Sequence, residues 1–103
     1  MGDYYARTGE PMTLKEWATT FEADDNHVGD DTVKGVRVST VYLGLDHSFG
    51  MGGPPLIFET MVFGGPHDQH TARYATEEQA RDGHARVLAA IREGREPRSD
   101  FDA

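Results

Sequence analysis

Residues 36–63, VRVSTVYLGLDHSFGMGGPPLIFETMVF, decide the fold. They read as two apolar strands joined by a connection rich in glycine and proline. Val33 to Leu45 forms the first strand and Leu56 to Phe63 the second, antiparallel to it. Asp46 to Pro55 cannot continue a ladder through its glycines and prolines. It is also too long for a two-residue turn. In the first strand Val36 and Val38 point to one face, whereas Val41, Leu43 and Leu45 point to the other. A bulge near Ser39-Thr40 would switch the buried face. Without it both faces would need cover, and a chain of 103 residues has little material for that.

Working outward, Thr13 and Glu16 have the spacing of a capping box. Leu14, Trp17, Ala18 and Phe21 then recur at helical intervals, predicting a helix over 14–23 with Trp17 as its anchor in the core. On the other side, Thr76 caps a helix over 77–93, with Glu77 and Glu78 in its first turn. Ala80, His84, Val87, Leu88 and Ile91 form its apolar stripe. Gly83 inside this helix costs about 1 kcal/mol relative to alanine, which a close approach to another backbone would explain. Tyr4-Tyr5 reads as a short strand or docked arm, and Arg73-Tyr74 as a short third strand. Asp24 to Asp31, DDNHVGDD, reads as a solvated acidic loop that could face a partner, because the glycine and glutamate positions of an EF-hand are not met. The expected architecture is α+β: a small antiparallel sheet built on a long β-hairpin (33–45 and 56–63), with both helices packed on it. One domain spans 1–94, and 95–103 is a polar, flexible tail.

The chain carries 18 acidic and 10 basic residues, a formal charge of −8, and no cysteine. Thiolate metal sites, disulfides and a cysteine nucleophile are thereby excluded. Direct nucleic-acid binding is disfavoured, since that affinity rests on Lys and Arg displacing counterions. No run approaches a membrane span, and the N-terminus lacks a signal-peptide pattern. These features point to a soluble, cytoplasmic protein whose acidic surface suits a partner with a basic one. An exposed sheet edge makes a homodimer plausible.

Chemistry-bearing residues are few. Glu59 stands in an apolar strand, either hydrogen-bonded to Tyr42, Thr40 or Arg37, or held as a carboxylate with a raised pKa in a pocket. Asp46 and His47 lie where the first strand gives way to the loop. Asp46 suits capping of loop amides, with His47 packed beside Phe49. Phe49 and Met51 place apolar side chains on the loop, to fold back or to meet a partner. His84, on the helix stripe, is either a satisfied core histidine or the partner of Asp46 or Glu59. Together Asp46, His47, Glu59 and His84 would make a ligand set for zinc, though no motif spacing demands it. His67 and His70 form a weaker pair in a loop. No nucleophile elbow or phosphate-binding loop is present, and no cofactor is expected.

The run VSTVYLGLDHSFGMGGPPLIFETMVFGG, with the later RYATEEQARDGHARVL, resembles a set of small uncharacterised accessory proteins encoded by phages and prophages. The likeness extends from Trp17 to about Ile91. It implies a viral accessory role and brings no reaction to transfer onto Asp46, His47, Glu59 or His84. Such a protein is expected to work in the host bacterium by stoichiometric binding, inhibiting a host factor or a defence system in the manner of an anti-CRISPR. The alternatives are a small metal-dependent hydrolase using those four residues, or a protein that sequesters a nucleotide signal beside the 50–55 loop.

Overall fold

The structure, a computed structural model, describes residues 4–23, 25–46 and 54–97. In chain order the elements are β1 (Tyr4–Tyr5), β2 (Pro11–Met12), α1 (Leu14–Ala23), β3 (His27–Val33), β4 (Val36–Tyr42), β5 (Phe58–Phe63), β6 (Thr71–Tyr74) and α2 (Glu77–Glu93). Strands β3 to β6 form a four-stranded sheet in sequential order, and β1 and β2 form a two-stranded one. All strand pairs are antiparallel. The domain is α+β.

Strand parity explains the core. Phe58, Thr60 and Val62 of β5 are fully buried, as are Val38 and Thr40 of β4, and these positions look towards α2. Val87 of α2 joins Val36, Val38 and Val62 in one cluster. Ala80 joins Tyr42, Phe58 and Tyr74 in the other. Each large aliphatic or aromatic side chain so enclosed contributes about 1.5–3 kcal/mol. Both helices begin with a capping box. At α1, Glu16 N–H donates to Thr13 Oγ1 at 3.1 Å while Glu16 Oε1 accepts from Thr13 N–H at 2.9 Å. At α2, Thr76 and Gln79 make the equivalent pair.

Four expectations need correction. The acidic stretch expected as a loop runs into edge strand β3, which also takes Val33 from the expected 33–45 strand, so that the central strand spans only Val36–Tyr42. The turn lies at Lys34-Gly35. Their φ angles of 53° and 76° match the two-residue hairpin turn that follows the twist of its strands. The bulge lies in β3 between His27 and Gly29, while β4 pairs with β5 without interruption from Arg37↔Phe63 to Tyr42↔Phe58. Unbroken alternation therefore leaves Val41 half-buried on the side away from α2. Helix α1 rests mainly against β1 and β2, with Leu14 exposed. It reaches the core through an aromatic row, Trp17–Phe21–Tyr42–Phe58, with centroids 5.0, 6.1 and 5.7 Å apart. The fourth correction concerns Gly83, which faces the Tyr74 ring and not another backbone. A Cβ there would lie 2.3 Å from Tyr74 Cε1.

The chain beyond α2 is held as far as it is described. Arg95 N–H donates to Ala90 O at 2.7 Å, and Pro97 is buried. The rest of the expected tail lies outside the described residues.

Candidate functional site

The sheet face beneath α2 holds a continuous line of polar groups. The β3 bulge brings Gly29 opposite Thr40 and Asp31 opposite Val38. His84 descends from α2 between them. Its Nε2 lies 2.8 Å from Asp31 Oδ2 and its Nδ1 lies 2.7 Å from Thr40 Oγ1. Thr40 Oγ1 meets Thr60 Oγ1, which accepts from the Tyr74 hydroxyl at 3.0 Å. Gly29 makes room for the ring, since a Cβ there would stand 2.8 Å from His84 Nε2.

Hydrogen-bond bookkeeping assigns the direction of this relay. An ionised carboxylate only accepts, so Nε2 carries the hydrogen towards Asp31. In neutral imidazole Nδ1 then accepts from Thr40, Thr40 accepts from Thr60, and Thr60 accepts from Tyr74. Every link is satisfied with one hydrogen each, which is what a buried polar chain requires.

The order carboxylate–imidazole–hydroxyl is that of an activated nucleophile. Access decides against that use. Thr40 has 0% exposure, and a nucleophile must touch the atom it attacks. Asp31, by contrast, has a side chain 56% exposed. The relay thus ties a surface carboxylate to the core without offering a reactive hydroxyl to solvent.

Glu59 belongs to the other face. It pairs with Arg73, directly across β5 and β6, at 3.1 Å. This is the hydrogen-bonded alternative, with Arg73 in place of the expected Tyr42, Thr40 or Arg37. Glu59 and His84 therefore lie on opposite sides of the sheet and do not share a site. Asp46 accepts from Leu56 N–H at 3.1 Å, which closes the base of the long connection and agrees with amide capping. His47, Phe49 and Met51 lie outside the described residues. His67 borders a cleft of about 90 Å³ walled by Val36, Val62 and Ile91, and its carbonyl accepts from His70 N–H. Among the described residues, no group of three or more His, Asp and Glu side chains could hold a metal ion. No helix among them is long and apolar enough to cross a membrane.

The acidic groups concentrate along β3. Asp25, just before it, has its carboxyl held below the usual range by His27, first through the backbone N–H and then the ring. Asp30 is lowered by Arg37, whose guanidinium donates to both its oxygens at 2.9 and 2.8 Å. The same pairing raises Arg37. These carboxylates stay ionised over the neutral range and remain largely exposed.

Arg7 anchors the N-terminal arm beside this edge. It donates to Glu77 at 3.0 and 3.3 Å and to Asp25 O at 2.8 Å. Reading the residues alone found His84 but not its partners: Asp31 stood in an acidic loop that could face a partner, Thr40 was assigned to Glu59, and Thr60, Tyr74 and Arg7 were not singled out. The available signal was Thr40 and Thr60, two β-branched hydroxyls at interior positions of neighbouring apolar strands. Comparison with protein-family models, curated proteins and solved structures finds no match.

Proposed function

We propose that this is a phage-type accessory protein that acts by stoichiometric binding, inhibiting a host factor or defence system in the bacterial cytoplasm. Its contact surface is the β3 edge. The observation that carries the reading is the character of that edge: an outer strand with Asp30 and Asp31 side chains 40% and 56% exposed, flanked by Asp25, on a chain of charge −8. An outer strand offers unpaired backbone groups to a partner's strand. Flanking carboxylates select a partner with a basic surface and speed its approach. The relay supports the same use. It holds Asp31 in place from the core side, so the strand meets its partner with less ordering left to do.

Co-purification from phage-infected host lysate, followed by mass spectrometry, tests this reading. A basic host or phage protein should be retained at near-equal stoichiometry and lost when Asp25→Lys and Asp30→Asn are combined. Recovery of no protein at all, with wild-type bait folded by circular dichroism, would sink the proposal.

A further inference from the structure

The parity of β3 says which of its backbone groups are open. Lys34 and Gly35 form a two-residue turn, so Val33 and Val36 beside it exchange ladder bonds. Bonded and non-bonded pairs then alternate along the strand. Asp31↔Val38 and Gly29↔Thr40 fall on bonded positions, whereas Thr32↔Arg37 and Asp30↔Ser39 do not. Tyr42 N–H, which donates to Asn26 O at 2.7 Å, carries the same parity to the end of β4. Asp30 and Thr32 therefore each turn one N–H and one C=O away from the sheet. Among the described residues no strand lies beyond β3. The open stretch is short and bounded. Arg7 takes the carbonyls of Asp25 and His27 at one end, and the turn closes the other.

Charge along that stretch is uneven. Asp30 is held by the Arg37 guanidinium, and Asp25 by the His27 N–H and ring. Asp31 pairs with the His84 imidazole and, among the described residues, with no lysine or arginine. Its side chain is more than half exposed. We infer that β3 takes up an extended segment of the basic partner as a fifth, antiparallel strand, registered on Asp30 and Thr32, with a lysine or arginine opposite Asp31. This rests on the functional reading of the β3 edge and narrows it from a surface to a register.

Each part of that geometry has its own reason. With Asp30 and Thr32 at the bonded positions of the new pair, Asp31 falls on a non-bonded one. There facing Cα atoms come to about 4.5 Å, the closest approach in an antiparallel pair, so a cation opposite Asp31 lies within ion-pairing reach. Antiparallel addition continues the sense of every pair in the sheet. Asp31 shares the α2 side of the strand with Val33, which is half-buried, so apolar residues suit the positions two away from the cation. A second copy of this chain is a poor occupant. Its own β3 would set acid against acid, on a molecule of charge −8.

The probe is the acetylated, amidated peptide Thr-Val-Thr-Lys-Thr-Val-Thr. It is titrated into the isotope-labelled chain and followed by nuclear magnetic resonance up to about 2 mM, where a few backbone bonds suffice for detection. The Asp30 and Thr32 amides should shift and gain protection from exchange, while the Asp31 amide, on the β4 side, is protected beforehand. Methylating the peptide nitrogens of the third and fifth residues, which face Thr32 and Asp30, removes two donors and should weaken binding at least about tenfold. Replacing the peptide's lysine by glutamate should do the same through like-charge repulsion. Thr32→Pro removes an outward N–H and spares the ladder to β4. It should weaken binding as much, with the thermal melt within a few degrees of wild type. Absence of shifts at Asp30 and Thr32 overturns the inference. So does a methylated peptide that binds as well as the plain one. In the host-lysate experiment, a Thr32→Pro bait that keeps the partner lost by Asp25→Lys, Asp30→Asn overturns strand addition and leaves the functional reading standing. A lysate that yields no protein, beside a peptide that binds in this register, removes the host partner and leaves the strand site.

Discussion

Replacing Gly29 by alanine probes the relay at its tightest point. The new methyl would stand 2.8 Å from His84 Nε2 and 2.9 Å from Cδ2 and Cε1. His84 is held from the other side by Thr40 at 2.7 Å, so relief requires the ring to give up ideal contact with Thr40, Asp31 or both. Two hydrogen bonds weakened in a nearly closed site cost about 1 kcal/mol each. Residual overpacking adds about 1 kcal/mol or more. Lower entropy of the unfolded alanine chain returns about 0.4–1 kcal/mol. The net loss is about 2 kcal/mol, which lowers the melting temperature by roughly 8–16 °C in a domain of this size. The assay is urea denaturation of wild type, Gly29→Ala, His84→Ala and the double variant. With the imidazole gone the methyl has nothing to strike, so Gly29→Ala should then be neutral or stabilise by up to about 1 kcal/mol. The coupling should be about 2–3 kcal/mol. An equal cost in both backgrounds, or a Gly29→Ala protein as stable as wild type, refutes the claim that this glycine exists to seat His84.

Thr60→Val keeps shape but removes the acceptor for the Tyr74 hydroxyl and a partner of Thr40, and should cost about 1–3 kcal/mol by urea denaturation. Gly83→Ala should destabilise by about 1–3 kcal/mol in spite of better helix propensity, because Tyr74 is only 1% exposed and has no room to retreat. A melt at or above the wild-type temperature would contradict that packing. Acid should expose the Arg7 clasp. Burial alone would raise the Glu77 carboxyl, but Arg7 and Arg81 outweigh it and hold it below its usual 4.5. A lowered carboxylate adds stability that is complete above the usual value and fades as pH falls through the folded one. Between about pH 6 and pH 3 wild type should therefore lose up to about 1 kcal/mol more than Arg7→Ala, a small difference because the pair is partly solvated. Parallel denaturation curves at both pH values check it.

The parts of the fold legible in the residues are those with local signals. Both helices start where Thr13 and Thr76 cap them, because a capping box declares itself within four residues. Strands β4 and β5 declare themselves by apolar content. β3 does not: adjacent Asp30 and Asp31 look like loop, yet an outer strand tolerates charge on both of its sides. The Lys34-Gly35 turn was hidden for a related reason, since lysine is uncommon at positive φ. Missing β3 also displaced the candidate site. His84 called for a carboxylate partner, and without that strand only Asp46 and Glu59 were in view. Glu59 was then ruled out by parity, one residue from Thr60 and hence on the opposite side of the sheet.

The clasp between Arg7 and Glu77 has a consequence for how the molecule assembles. It joins groups 70 positions apart, and the other acceptors of Arg7, the Asp25 and His27 carbonyls, lie at the start of the outermost strand. Nothing can close it until the strands and the last helix have found their places. Amide hydrogens at Tyr5 and Ala6, which donate to Gly44 and Glu10 carbonyls, should consequently gain protection last during refolding and surrender it first on warming. A deuterium label there would work as a clock for completion of the native state.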